Sequence, residues 1–249
     1  MSDAPLILCL DCGNTRIKWG LHQAGQWLAQ GAVATASPRS LGDVPELRSA
    51  HPDRIVACNV AGREVEAIVA GLFTQTVTWN VACPGQGGVR NDYEVPDRLG
   101  ADRWAALLGA RALHGGPCLV VTAGTATTID LLDAAGHFRG GLILPGLDLM
   151  HAALSGNTAQ LPLAQGEYRD VPRNTADAIA SGALHATLGA VERMYATLAA
   201  QSTAQPLCLL SGGAAHRLQA HLTLPARAEP LLILEGLARV AAHAASDTP

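Results

Sequence analysis

Apolar residues in this chain occur in short runs separated by glycine-containing turns, and one arrangement of runs is present twice. The first copy starts with the apolar run 6–10, and the second starts with the run 118–121. In each copy a turn, a second run, a glycine-marked turn and a third apolar segment follow. This pattern predicts strand, tight turn, strand, turn and strand, twice over.

A shift of 111 residues (124 − 13) aligns the two copies without gaps. The aligned positions are Gly13 with Gly124, Gly25 with Gly136, and Trp27 with Phe138. Chance similarity between two apolar hairpins is the alternative explanation. Duplicated hairpins favour an α/β fold of two related lobes with a ligand held between them.

Further strands and helices are predicted around the two copies. Strands are expected at 55–60, 76–81 and 206–210, and helices at 63–73, 102–113, 146–154, 175–200 and 231–244. Thr175 is the expected N-cap of the longest helix. The stretch 38–53 predicts a loop with a short helix, and 84–100 predicts a long irregular connection of functional importance. The break at Gly115-Gly116-Pro117 separates an expected lobe 1–115 from an expected lobe 116–249.

The composition narrows the classes of function. The 249 residues are 49% apolar, with a net charge of −4 and only 4% aromatic residues. Nucleic-acid binding needs a basic face and commonly uses aromatic stacking, so we expect no nucleic-acid partner. The apolar tracts are too short for a membrane span, and no leader pattern is evident, so we expect a cytoplasmic protein without a membrane partner.

Six scattered cysteines are expected to be free, buried thiols in a reducing compartment. Cys9 and Cys12 match C-x-x-C, but a second run of β character follows them rather than a helix. A zinc site would need a second pair of ligands at suitable spacing, which the sequence lacks. Redox or metal chemistry at this pair is therefore disfavoured.

The first turn carries the residue types that polyphosphate binding requires. Asp11, at the end of a predicted strand, offers hard oxygen to a divalent metal, and Gly13 lets the backbone approach an anion. Asn14 and Thr15 add donors, and Lys18 adds positive charge. Alone, the same residues are equally typical of a β-turn with an Asx cap.

The second copy offers a further donor-rich turn at 124–128, suited to another part of a polyphosphate. Gly212-Gly213 opens the next helix, where missing side chains let a flat base or ribose lie against the backbone; a plain turn is the alternative. Neither the P-loop nor the dinucleotide-binding glycine motif occurs.

Gly100-Ala101-Asp102-Arg103 places an acid and a base at a junction between loop and helix. The Asp102 carboxylate can take a proton from a substrate hydroxyl while Arg103 orients an anionic group. The alternative is an acid that favours a helix N-terminus, with Arg103 in solvent.

Together these motifs resemble those of type III pantothenate kinases, over nearly the whole chain. The family motif D-x-G-N-T-x-x-K is matched by 11–18, G-x-D-R by 100–103 after Tyr93, and G-T-A-x-T-x-D by 124–130. The segment 140–146 resembles G-G-x-x-P-G with one additional residue, and 174–179 resembles a later family segment. The resemblance implies the acetate/sugar kinase–Hsp70–actin superfold, with two duplicated ribonuclease H-like lobes of mixed sheets flanked by helices.

The resemblance also implies a reaction and its residues. The reaction is ATP-dependent phosphorylation of pantothenate to 4'-phosphopantothenate, the first step of coenzyme A synthesis, in a homodimer with the substrate pocket at its interface. Asp102 would be the general base, and Asp11 would hold Mg²⁺ through the phosphates. The implied ATP-binding residues are Asp11, Cys12, Gly13, Asn14, Thr15, Arg16, Ile17, Lys18, Thr125, Gly212 and Gly213. The implied pantothenate-binding residues are Tyr93, Gly100, Ala101, Asp102, Arg103 and Thr175.

One position departs from the family pattern. The family usually has Asp where this chain has Thr122, and that Asp helps to hold a monovalent cation, K⁺ or NH₄⁺. A neutral hydroxyl is a weaker cation ligand, so we expect a weakened or absent potassium dependence.

Other functions are compatible with parts of this pattern. A non-catalytic relative could use the fold to bind a nucleotide or a regulatory partner, although such a protein needs no Asp102-Arg103 pair. A kinase for another small hydroxylated substrate would keep the same phosphate turns. An α/β scaffold whose glycines only form turns is disfavoured by the repeat and by the order of the motifs.

Overall fold

The computed structural model describes residues 4–157 and 166–243, which form two compact units. Residues 4–115 and 231–243 belong to the first unit, and 116–157 and 166–230 belong to the second. No helix within these described ranges is long and apolar enough to cross a membrane.

Strands and helices follow one another along the chain with two short 3₁₀ turns among them. The strands are β1 (Ile7–Cys12), β2 (Arg16–Gln23), β3 (Gln26–Ala34), β4 (Arg54–Asn59), β5 (Val77–Trp79), β6 (Gly85–Gln86), β7 (Val89–Asn91), β8 (Cys118–Ala123), β9 (Ala126–Leu132), β10 (His137–Pro145), β11 (Leu207–Ser211) and β12 (Ala226–Ala228). The helices are α1 (Pro45–Ser49), α2 (Arg63–Ala70), α3 (Ala101–Leu113), α4 (Leu147–Asn157), α5 (Thr175–Ala200), α6 (Ala215–Gln219) and α7 (Leu232–His243). The 3₁₀ turns are Pro38–Asp43 and Pro96–Arg98.

Each unit contains a mixed sheet. In the first unit the strand order is β3-β2-β1-β4-β5, with β1 antiparallel to β2 and parallel to β4. In the second unit the order is β12-β11-β8-β9-β10, with β8 antiparallel to β9 and parallel to β11. The central strands β1 and β8 are almost entirely buried because neighbours cover both of their faces.

The repeat predicted from the sequence is present as matching strands. Strands β1, β2 and β3 correspond to β8, β9 and β10 at the same shift of 111 residues, to within two residues at the ends of β2 and β9. Gly25 and Gly136 occupy equivalent turns with positive φ angles of 80° and 87°, a region that glycine enters without a steric penalty. The prediction of two related mixed sheets is therefore confirmed.

Helix α7 lies in the first compact unit, whereas the sequence-based division placed it in the lobe 116–249. It crosses α3 at a pair of glycines. A Cβ on Gly109 would collide with the Leu232 carbonyl oxygen, and a Cβ on Gly236 would collide with the Ala105 carbonyl oxygen. The two helix backbones can approach this closely only because both positions lack a side chain.

Two local expectations differ from the structure. The connection 84–100 contains the short hairpin β6–β7 and the second 3₁₀ turn, so it is more ordered than its glycine content suggested. The N-cap of α5 is Asn174 and not Thr175, because the Asn174 side chain accepts the Asp177 backbone N–H at 2.9 Å. Thr175 is the first residue of the helix proper.

Candidate active site

Asp11 is a buried carboxylate near the end of β1, with only 4% of its surface exposed. Its Oδ2 atom lies 3.6 Å from the Lys18 ammonium nitrogen on β2, and Lys18 is the cross-strand partner of Asp11. Its Oδ1 atom accepts a hydrogen bond from the Cys58 thiol on β4, at a sulfur–oxygen distance of 3.7 Å. The sheet register thus brings a cation and a thiol donor to the same acid.

Burial raises the pKa of Asp11, and the negative charge of Asp102 raises it further. The Lys18 charge and the Cys58 hydrogen bond act in the opposite direction and favour the ionised form. Asp102 is thus close enough to affect the ionisation of Asp11. The first unit therefore places two acids from β1 and α3 in one electrostatic environment.

The turn after Asp11 exposes polar groups. Asn14, Thr15 and Arg16 are exposed between β1 and β2. The Gly13 backbone N–H donates to the Asp11 and Arg16 carbonyl oxygens at 3.1 and 3.2 Å, which closes the turn. A short, closed turn at a strand end can present its polar groups to an anion without large rearrangement.

Asp102 lies in the first turn of α3, and its Oδ1 accepts the Arg103 backbone N–H at 2.8 Å. A Cβ on Gly100 would stand 2.8 Å from that same oxygen, so a side chain at position 100 would push the carboxylate away from the helix start. Ala101 is the first helical residue, between them. The glycine and the acid of the predicted motif are therefore in direct steric contact.

Arg103 is 94% buried rather than in solvent, which removes the alternative of an exposed base at this position. Its guanidinium donates to the Tyr93 hydroxyl at 3.1 Å and lies 5.6 Å from the centroid of the Tyr93 ring. Tyr93 belongs to the connection that precedes α3. A buried cation beside a tyrosine hydroxyl can orient a polar or anionic substrate group.

In the second unit, three glycine turns meet at the end of β8. A Cβ on Gly146 would collide with the carbonyl oxygens of Gly124 and Thr125, and a Cβ on Gly212 would collide with the Ala123 backbone. Gly212 has a φ of 93°, and the Gly146 backbone N–H donates to Thr125 at 2.9 Å. The result is a compact backbone cradle, with Thr125 and Gly213 exposed at its surface.

A row of hydroxyl groups crosses the same sheet. Thr122 on β8 pairs in register with Ser211 on β11 and with Thr128 on β9. Two buried hydroxyl oxygens have no hydrogen-bond partner among the described residues, namely Ser211 Oγ and Oγ1 of Thr127, which precedes Thr128. The second copy therefore carries hydroxyls at the position where the first copy carries an acid.

Thr175 lies in the second unit and lines an apolar groove of about 770 Å³ between α4 and α5. The groove is lined mainly by Leu149, Leu154, Ile179 and small residues of α5. Leu149 and Leu154 are 50% and 44% exposed, so this face presents large apolar side chains to the outside.

The cysteines are free, as expected, and all are buried except the half-buried Cys83. Burial raises the pKa of Cys12 to about 12 and raises that of Cys9 as well. Both thiols remain protonated at neutral pH, and thiols are poor nucleophiles and metal ligands. Neither thiol is therefore in an environment that favours the reactive thiolate.

Of the implied site residues, the structure brings Asp11, Lys18, Tyr93, Asp102 and Arg103 together in the first unit through contacts or charge. The cradle residues and Thr175 belong to the second unit. The sequence analysis missed Cys58, Asn91 and Ser211. Cys58 lies within the predicted strand 55–60 and Ser211 directly follows the predicted strand 206–210, which was a usable signal; Asn91 lies in the irregular connection and has none in sequence.

Comparisons with known proteins give a family. The family model for type III pantothenate kinase matches residues 7–197. A type III pantothenate kinase of Aromatoleum aromaticum is 53% identical over 213 residues, covering 84% of this chain and 86% of the relative. A type III pantothenate kinase of Azoarcus sp. is 50% identical over 252 residues, covering 98% of this chain and 93% of the relative.

Solved structures give the fold. An inorganic polyphosphate/ATP-glucomannokinase from Arthrobacter sp. has a TM-score of 0.50 at 16% identity, covering 98% of this chain and 100% of that chain. MreB 5 of Spiroplasma citri, bound to AMPPNP, has a TM-score of 0.51 at 9% identity, covering 98% of each chain. Likeness at such identities shows the fold alone. The predicted actin-like ATPase fold is confirmed.

Proposed function

This chain belongs to the type III pantothenate kinase family and phosphorylates pantothenate with ATP in coenzyme A synthesis, and we propose that Asp102 is the general base of the reaction. The observation that carries this proposal is the arrangement at the start of α3. Asp102 is fixed by the Arg103 backbone N–H, next to the Tyr93–Arg103 pair and within electrostatic reach of Asp11. A carboxylate that can take a proton and a cation that can orient the substrate thus lie side by side.

The residues present fit ATP with Mg²⁺. Among residues 4–157 and 166–243, no group of three or more acidic, His or Cys side chains could enclose a metal. Mg²⁺ is commonly held by one or two carboxylates together with substrate phosphates, and the buried Asp11 supplies one carboxylate. When bound, Mg²⁺ would neutralise phosphate charge.

We assign the remaining ATP contacts by chemistry. The turn from Cys12 to Ile17 would offer backbone and side-chain donors, and Lys18 would face phosphate oxygens. In the second unit, Thr125 would contribute a hydroxyl to phosphate, and Gly212-Gly213 would leave room for adenosine.

The reaction follows from these assignments. The pantothenate hydroxyl gives its proton to the Asp102 carboxylate, and its oxygen attacks the γ-phosphorus of ATP. ADP leaves, and 4'-phosphopantothenate forms. Tyr93, Gly100, Ala101, Arg103 and Thr175 would surround pantothenate, with Arg103 facing its carboxylate. Orientation and charge neutralisation supply most of the rate acceleration in such a transfer.

Asp102→Asn tests the assignment of the base. Asparagine keeps the size and one acceptor oxygen but takes no proton, so we expect kcat to fall by roughly 10²–10⁴-fold. Binding of both substrates, measured by calorimetry, should change little. An Asp102→Asn protein that forms 4'-phosphopantothenate at the wild-type rate would refute the role of Asp102.

We further propose a homodimer in which the apolar face beside Thr175 meets a second copy. The support is the pair of half-exposed leucines on α4 at a groove that an implied substrate residue also lines. Leu149→Glu should shift the mass in sedimentation velocity from dimer to monomer and raise the pantothenate KM. Leu28→Glu, at a similarly exposed leucine of the first unit, is the matched control and should remain dimeric.

We also propose that potassium dependence is weak or absent. Thr122 provides a neutral hydroxyl where the family usually has a carboxylate. Turnover should therefore be similar in K⁺ and Na⁺ buffers, and Thr122→Asp should introduce a difference between them. Equal turnover of Thr122→Asp in both buffers would count against this explanation. The expected cytoplasmic location also stays a prediction.

A further inference from the structure

Asn91, the last residue of β7, makes three hydrogen bonds that organise the connection before α3. Its backbone N–H donates to the Pro84 carbonyl oxygen at 2.9 Å. Its side-chain nitrogen donates to the Pro96 carbonyl oxygen, and its side-chain oxygen accepts the Tyr93 backbone N–H, both at 3.1 Å. Asn91 is 94% buried, so water competes little for these bonds.

These bonds connect Asn91 to the proposed pantothenate pocket through Tyr93. The bond to Tyr93 N–H fixes the backbone from which the tyrosine ring extends, and the bond to Pro96 closes the loop on its other side. The Tyr93 hydroxyl in turn accepts from Arg103, which follows the proposed base. The asparagine amide supplies a separate donor and acceptor without charge, so one short side chain can bond to both backbone groups.

We propose that Asn91 is a positioning residue that sets the Tyr93–Arg103 pair for pantothenate, which rests on the proposed pocket assignments. Its hydrogen bonds are to backbone groups of this connection, so we expect its effect to fall on one substrate. Loss of the side chain lets Tyr93 move, and small displacements of a substrate-orienting group lower its contribution steeply. ATP binding depends on other turns and should stay unchanged.

The first test is kinetic. Asn91→Ala should raise the pantothenate KM about tenfold while the ATP KM stays within about twofold. Asn91→Asp keeps the acceptor for Tyr93 but loses the donor to Pro96, so it should fall between Asn91→Ala and wild type. Combined with Tyr93→Phe, Asn91→Ala should add much less than its single effect, because both act through one pair.

Asn80→Ala is the matched control. Asn80 has the same 6% exposure in the same unit, and its side-chain nitrogen has no partner among the described residues. It should leave the pantothenate KM unchanged. An Asn91→Ala protein with a wild-type pantothenate KM, or with both KM values raised in parallel, would overturn the proposal.

A second measurement does not depend on activity. Hydrogen exchange at the Tyr93 amide should accelerate in Asn91→Ala and not in Asn80→Ala, because Asn91 accepts that N–H. Unchanged exchange would overturn the positioning role. Unchanged pantothenate binding in variants that lack the Tyr93 or Arg103 side chain would instead refute the pocket assignment. The exchange result would still decide whether Asn91 orders the loop.

Discussion

The turn between β1 and β2 carries charged side chains, whereas the matching turn between β8 and β9 carries hydroxyls and apolar groups. At the shift of 111 residues, Asp11 corresponds to Thr122 and Lys18 to Ile129. In both turns a glycine N–H donates to a carbonyl oxygen at the start of the following strand, Gly13 to Arg16 and Gly124 to Ala126. The glycine turn is thus present in both copies, while the charges at these two positions are found only in the first.

The neighbouring strands extend this contrast. In the first unit, β4 sets Cys58 beside Asp11; in the second, β11 sets Ser211 beside Thr122 at the equivalent parallel pairing. The Cys58 thiol has an acceptor in the Asp11 carboxylate. The Ser211 hydroxyl has none among the residues described. We infer that the two copies differ at this parallel pairing, where the first has a buried charge and the second a neutral hydroxyl; the buried acid of the second copy, Asp130, lies further along β9.

Replacement of Asp11 should produce the largest difference in activity between equivalent substitutions in the two copies. Asp11→Asn should lower kcat/KM for ATP by roughly 10²–10³-fold, because a buried carboxylate that would hold phosphate-bound Mg²⁺ is lost. Thr122→Ala, at the matching position, should change it less than about threefold. Steady-state kinetics at saturating pantothenate measures both, and comparable losses in the two variants would argue against a division of labour.

Removal of the cation should have the next largest effect. Lys18→Ile gives the first turn the residue type of the second and should lower kcat/KM for ATP by roughly 10–100-fold. Lys18→Arg keeps the charge and should lose less. The assay is the same ATP titration, and a Lys18→Ile protein with wild-type kinetics would remove Lys18 from the phosphate site.

Substitutions of Cys58 and Ser211, the neighbours of Asp11 and Thr122, should differ in their effect on protein stability rather than on the reaction rate. Cys58→Ala leaves Asp11 Oδ1 without this donor and should lower the free energy of unfolding by about 1–3 kcal/mol, while Cys58→Ser should recover part of it. Ser211→Ala removes a buried hydroxyl without a partner, so it should be neutral or stabilise by up to about 1 kcal/mol. Urea denaturation decides; a larger loss for Ser211→Ala would reverse the comparison.

The smallest expected difference between the two copies is in the pH dependence of stability, which involves His22 and Trp27 of the β2–β3 hairpin. His22 packs against Trp27 with ring centroids 4.9 Å apart, and burial lowers the pKa of His22 although the Glu235 charge opposes this. The unfolded chain then binds more protons below about pH 6.5, so stability should fall as pH drops from there towards the lowered pKa.

His22→Phe should remove that part of the pH dependence. Phe138 replaces Trp27 in the second copy, so Phe138→Leu serves as a control that leaves the slope below pH 6.5 unchanged. Melting temperatures between pH 5 and pH 8 give the measurement. A steeper slope in His22→Phe would show that another group titrates there.

Much of the fold could be predicted because its signals are local. Glycine turns and short apolar runs define the repeated strands, and the α5 bounds follow from helical spacing. The site motifs were also local, since Gly100, Asp102 and Arg103 are neighbours in sequence. Each of these features can be recognised from a short stretch of sequence.

The remaining features depend on residues far apart in the chain. Helix α7 belongs to the first unit because Gly236 meets Gly109 across a distance in sequence that no periodicity encodes. The contact between Cys58 and Asp11 joins residues 47 positions apart. Asn91 gave no signal because its role lies in hydrogen bonds to backbone groups of an irregular loop.

The central claim, that Asp11 and not its counterpart Thr122 contributes most to phosphate binding, is tested most directly by a binding measurement. MgATP should be titrated calorimetrically into wild type, Asp11→Asn and Thr122→Ala under one buffer condition. We predict that Asp11→Asn weakens the affinity at least about tenfold while Thr122→Ala binds like wild type. Equal affinities of Asp11→Asn and wild type, or a greater loss in Thr122→Ala, would contradict the account.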